Sequence, residues 1–109
     1  MDTQAFLKRA DACLEQVADW LEAFDPDELD YATSDGVVTL VFADGKRFVL
    51  NRQTAASQMW FAAGARAWHY NFDEARQAWI DDKEGFELFA RISLVVSEKL
   101  GRKGAPLID

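Results

Sequence analysis

Phe6, Ala10, Cys13, Leu14, Val17, Leu21 and Phe24 recur at intervals of three and four, the period of an amphipathic helix over residues 3–24 that Pro26 stops. Beyond it the period shortens. Residues 37–42 and 47–51 are rich in β-branched and aromatic side chains and flank Asp44-Gly45, a hairpin signal. Runs at 57–62 and 67–72 extend the sheet, a strand at 29–33 precedes the hairpin, and a short strand at 78–80 follows. From Glu84 onward Leu88, Phe89, Ile92, Val95, Val96 and Leu100 restore the helical period up to Gly101. The order of helix, about six strands and helix predicts an α+β fold, a two-layer sandwich with both helices on one face of an antiparallel sheet. Residues 1–109 read as a single domain without repeat or linker, with a loose tail expected from Arg102.

Alternation gives each strand two faces. In the fourth strand Met59 and Phe61 are expected to point inward, which turns Gln58 and Trp60 away from the helices. A tryptophan on a sheet face that no helix covers is either a docking anchor or a ring packed against aromatic neighbours on the open sheet.

Charge changes the picture more than composition does. Half of the 109 residues are hydrophobic, with four Trp and eight Phe, so the net charge of -7 belongs to a folded domain and not to an acidic tail. That charge argues against nucleic acid as a partner, whose phosphates need a basic face. The acids are also concentrated. Between Arg9 and Lys46 there is no Lys or Arg, yet the stretch holds ten carboxylates. On the first helix Asp11, Glu15, Asp19 and Glu22 fall within about 80° of one another, a stripe of like charges along one face. Glu22 and Asp25 add to it at the negative pole of the helix. Such one-sided charge calls for a cation or a basic partner, or it serves only as a solvated face.

Other chemistry is sparse. Cys13 is the single cysteine, which excludes an internal disulfide and a Cys-rich zinc site, and it lies on the apolar side of the first helix as a buried thiol. No apolar run approaches the roughly 18 residues a membrane helix needs. Asp2 stands where a signal peptide carries positive charge, so a cytoplasmic protein is expected. An EF-hand reading of residues 25–36 fails, because Leu29 and Asp30 occupy ligand and glycine positions and Gly36 replaces the closing Glu. Nothing reads as a triad, a phosphate loop or a paired-carboxylate hydrolase site.

The element order, the acidic first helix, Asn51-Arg52-Gln53-Thr54 and Gln58-Met59-Trp60-Phe61-Ala62 together resemble the frataxin family, in particular its bacterial CyaY branch. The resemblance covers nearly the whole chain, with Asp11, Trp79, the Gly85 turn and the final helix in the expected places. It implies a frataxin-like sandwich and a protein that binds ferrous or ferric iron and docks on the cysteine desulfurase of iron–sulfur cluster assembly, and with it the cluster scaffold protein. It implies a monomer in the absence of iron. Family members act as iron donors, as iron-dependent regulators of the desulfurase, or both.

The resemblance places iron on the ridge of the first helix and the following strand, here Asp19, Glu22, Asp25, Asp27 and Asp30, which Asp11 and Glu15 of the stripe extend. Oxygen ligands suit hard cations and select weakly, so other divalent cations are expected to compete with iron. Ala18 and Ala23 stand where the bacterial branch tends to carry further acids, which thins this ridge. Asn51, Arg52, Gln58 and Trp60 are the expected partner contacts. His69 is a further metal candidate, though an isolated histidine is more often an ordinary strand residue. Two rival functions are a ferroxidase that oxidises and stores iron and an acidic adaptor that needs no metal.

Overall fold

The computed structural model describes residues 1–101, and the expected tail from Arg102 lies outside the described residues. Helix α1 (Thr3–Leu21) starts at Asp2, whose carboxylate accepts from the Ala5 N–H at 2.7 Å and satisfies one of the free donors of the first turn. It ends three residues earlier than the apolar period suggests. Ala23 and Phe24 donate to Trp20 and Leu21, three residues back, so the chain tightens before Pro26 while Phe24 still packs on the core.

Six strands follow: β1 (Leu29–Ser34), β2 (Val37–Phe42), β3 (Arg47–Gln53), β4 (Gln58–Ala63), β5 (Arg66–Asp73) and β6 (Ala78–Asp81). They form one antiparallel sheet in the order β1-β2-β3-β4-β5-β6, each strand beside its neighbour in sequence. Helix α2 (Leu88–Leu100) closes the fold, and Gly101 ends it at φ 70°, a left-handed cap that favours glycine.

The core lies between the helices and one face of the sheet. Phe6, Ala10 and Val17 of α1 and Leu88, Ile92 and Val96 of α2 are fully buried with Leu40, Leu50, Met59 and Phe61 of the strands. Burial of this apolar area is the main stabilising term. The sheet's other face carries no helix.

Helix α2 begins at Leu88 instead of Glu84, because residues 82–87 form a loop built on Asp81. The buried Asp81 carboxylate accepts from the backbone N–H groups of Lys83 (2.8 Å), Glu84 (2.6 Å) and Phe86 (3.1 Å) and from the Arg91 guanidinium (3.3 Å). Burial alone would raise its pKa, but these four donors together hold it below the usual carboxylate value. The Arg91 cation in turn lies between the Trp68 and Phe86 rings, 4.6 and 4.4 Å from their centroids.

Candidate metal-binding ridge and docking face

Helix α1 turns Asp11, Glu15, Asp19 and Glu22 to solvent opposite its buried residues, as the spacing predicts. The turn after it exposes Asp25 and Asp27. Asp25 is partly used by the backbone, since its Oδ1 accepts from the Asp27 N–H at 2.9 Å. Asp30 follows on β1, but alternation sends it to the open side of the strand, because its neighbour Leu29 is buried under the helices. The seven acids therefore line an edge without closing on a point. Among the described residues, no three Asp, Glu, His or Cys side chains gather to hold a metal ion.

Two of the seven have partners that spacing does not reveal. Glu22 accepts a hydrogen bond from the Tyr31 hydroxyl, and that bond is the first cause of a raised Tyr31 pKa. Asp11 accepts from Arg52 at 2.7 Å. Glu15, Asp19, Asp25, Asp27 and Asp30 have no ion-pair partner among the described residues. Spread over a helix, a turn and the start of β1, they sum to a negative field along this edge without forming a cage.

The open sheet face is built around one row across three strands. Asn51 of β3 faces Trp60 of β4, which faces His69 of β5. The indole and imidazole stack at 4.3 Å with 16° between their planes. Gln58 accepts from Trp60 Nε1 at 2.9 Å and donates to Asn71 Oδ1 at 3.2 Å, which fixes the indole from its edge. Trp60 is consequently half-buried, a ring packed against an aromatic neighbour on the open sheet. Among the described residues, the large apolar side chains that do stand exposed are Met1, Phe86 and Leu94. His69 sits across the sheet from α1, away from the ridge acids.

Arg52 stands apart from the other three expected partner contacts. It pairs in register with the fully buried Met59, so it points to the helix side and not to the face shared by Asn51, Gln58 and Trp60. There it donates to Asp11 and, at 2.9 Å, to Asp35, and its pKa is raised, with the Asp35 bond as the largest cause. Its side chain lies over the buried Gly36, where a Cβ would come within 3.0 Å of the guanidinium carbon. The arginine is a clasp between β3, α1 and the β1–β2 turn.

The family model of the frataxin-like domain matches residues 1–102. The chain belongs to the frataxin family. The iron-sulfur cluster assembly protein CyaY of Thioalkalivibrio sulfidiphilus is 38% identical to it over 98 residues, covering 89% of this chain and 92% of that protein. The CyaY of Delftia acidovorans is 38% identical over 104 residues, 93% of each. Among solved structures, the frataxin of Psychromonas ingrahamii superposes with a TM-score of 0.87 at 23% identity, covering 100% of both chains. Trimeric frataxin of the yeast Saccharomyces cerevisiae, complexed with ferrous iron, gives 0.74 at 24% identity over 86% of this chain and 87% of that one. These two structures speak for the fold.

Within this frataxin-like domain the acids of α1 and the following turn stand apart from Trp60, which lies on the uncovered side of the sheet, and only Asp30 of β1 turns to that side. Cys13 belongs to neither. It is buried in the core, where desolvation pushes its thiol pKa far up and leaves it unreactive. The residues that sequence reasoning missed are Tyr31, whose hydroxyl donates to Glu22 at the end of α1, and Asp35, which Arg52 reaches from β3. Among the described residues no helix is long and apolar enough to cross a membrane.

Proposed function

We propose that this frataxin-family protein takes part in iron–sulfur cluster assembly. It carries ferrous or ferric iron loosely on its acidic ridge and docks on the cysteine desulfurase, as iron donor or as iron-dependent regulator. Relatives that match it over nine-tenths of their length are named for that assembly process, which supports the pathway. The observation that carries the reading is the row Glu15, Asp19, Glu22, Asp25 and Asp27, without ion-pair partners among the described residues, beside a sheet face that no helix covers.

The mechanism follows from charge and shape. Carboxylates at Glu15, Asp19, Glu22, Asp25 and Asp27 draw hard cations with little selectivity, so iron exchanges quickly and is handed on rather than stored. The same field steers a basic partner, and Trp60, Asn51 and Gln58 then supply short-range contacts. Iron on the ridge alters the field the partner meets, which couples metal to docking.

The test is binding of purified desulfurase to the full chain with ferrous iron under anaerobic conditions and with chelator. Binding that changes several-fold with iron, together with ridge amides broadened by iron, supports the reading. Equal binding with and without iron makes the protein a metal-independent adaptor. Ferrous iron oxidised at catalytic rates by the protein alone makes it a ferroxidase.

A further inference from the structure

Between the N-terminal half of α1, the β5–β6 turn and the start of α2 lies an open groove of about 540 Å³, the size of a small-molecule site. Small side chains leave the room. Ala5 and Ala12 of α1 and Ala78 of β6 line it where larger residues would bring the walls together. Its floor is Cys13 and Trp79, both 4% exposed, with Phe72 and Phe89 beside them. Trp79 meets Phe6 and Phe72 edge to face, at 6.0 and 5.2 Å between centroids, so the floor is rigid as well as apolar.

The rim carries basic side chains. Lys8, Arg9 and Arg76 stand around the groove in a chain of net charge -7. The only carboxylate in the lining is Glu87, and both its oxygens are engaged, accepting from the N–H groups of Phe89 and Ala90 at 2.9 Å each. Arg9 is held over the Phe72 ring, 4.3 Å from its centroid, by Glu74 (3.2 Å) and Gln77 (3.3 Å). Arg76 reaches Asp73 at 3.6 Å. Lys8 is exposed and has no ion-pair partner among the described residues. An apolar floor under one uncommitted ammonium selects an occupant that is apolar at one end and anionic at the other.

The geometry points to a binding site in this groove for a small carboxylic acid with an aromatic or aliphatic body, its body on Trp79 and Cys13 and its carboxylate at Lys8. The site lies in the helix layer, on the other side of the sheet from Trp60, and does not depend on the role given above to the ridge or the open face.

The experiment is an NMR titration of the ¹⁵N-labelled full chain with 4-phenylbutyrate, its neutral counterpart 4-phenylbutan-1-ol, and acetate. The acid should shift the amides of Ala12, Cys13, Ala78 and Phe89 to saturation, and the alcohol should bind about tenfold more weakly, the worth of one charge-assisted contact. Acetate should give no saturable shift. Lys8→Ala should reduce the acid's affinity to that of the alcohol, and Ala12→Leu, at an exposed helix position, should close the groove to both while the thermal transition stays sharp. Equal affinity for acid and alcohol, or shifts that stay linear, would overturn the assignment. So would NOEs from the groove to Leu107 or Ile108 in the free protein, which would make the groove a seat for the chain's own C-terminal residues.

Discussion

Replacing Arg52 separates a docking residue from a structural clasp. Its guanidinium spans Asp11 and Asp35, whose side chains are 58% and 94% exposed, while Arg52 itself is 19% exposed. Exposed ion pairs contribute about 0.2–1 kcal/mol each, so the two together give about 1 kcal/mol. The aliphatic stem over Gly36 adds about 1 kcal/mol of apolar contact. Arg52→Ala should therefore cost about 2 kcal/mol of folding stability, and Arg52→Met, which keeps the stem, about 1 kcal/mol. For a domain of this size that is a fall in Tm of about 10 °C for the alanine variant. The same change frees Asp11 and takes the net charge from -7 to -8. At roughly 10 Å in a solvent-like dielectric an added unit charge favours a divalent cation by about 0.8 kcal/mol, so manganese or ferrous ion should bind about three- to fourfold more tightly. Urea unfolding followed by far-UV circular dichroism gives the first number and a manganese titration the second. Unchanged stability with weakened desulfurase binding would refute the clasp and return Arg52 to the docking face.

Three further outcomes are expected. Asp81→Asn removes the charge that four donors surround and should cost about 2–3 kcal/mol at pH 7. Because the folded pKa is lowered, that contribution is full above about pH 4, the unfolded value, and is lost as pH falls through the folded one. Wild type and variant should thus converge in acid, and a gap that widens below pH 4 would contradict the account. Millimolar manganese or calcium at constant ionic strength should raise Tm by relieving repulsion along α1, with NMR changes centred on residues 15–30; a flat melt or changes confined to α2 would count against the ridge. Trp60→Ala should weaken desulfurase binding by about 2 kcal/mol while cation affinity is retained, and a variant that unfolds would show the Trp60–His69 stack to be structural.

Where the hydrophobic period is strong, the chain announces its own fold. The expected strand at 37–42 matches β2 at both ends, because Asp44-Gly45 sets the hairpin and alternating Val38, Leu40 and Phe42 set the register. Both helix faces follow from their periods in the same way. Boundaries were less legible, since the turn after Leu21 and the Asp81 loop depend on hydrogen bonds rather than on hydropathy. At the candidate site, the ridge was visible because like charges recur on one helix face. Its neutralised end was not, because Arg52 and Asp11 lie 41 positions apart and meet only when β3 passes beneath α1. Nor could spacing show that His69 covers Trp60, a pairing created by the β4–β5 register.

The strand order also bears on how the chain leaves the ribosome. Every sheet contact joins sequence neighbours, so each hairpin can close as soon as its second strand is made, an arrangement of low contact order that favours rapid folding. Helix α1 emerges before any of its strand partners, with Phe6, Leu14, Val17 and Leu21 uncovered while the sheet is still being synthesised. A nascent apolar helix of that kind is prone to associate with other chains. The carboxylates at Asp11, Glu15, Asp19 and Glu22 give it a repulsive coat throughout this interval, so the ridge keeps the first helix of the chain soluble before there is a fold for it to serve.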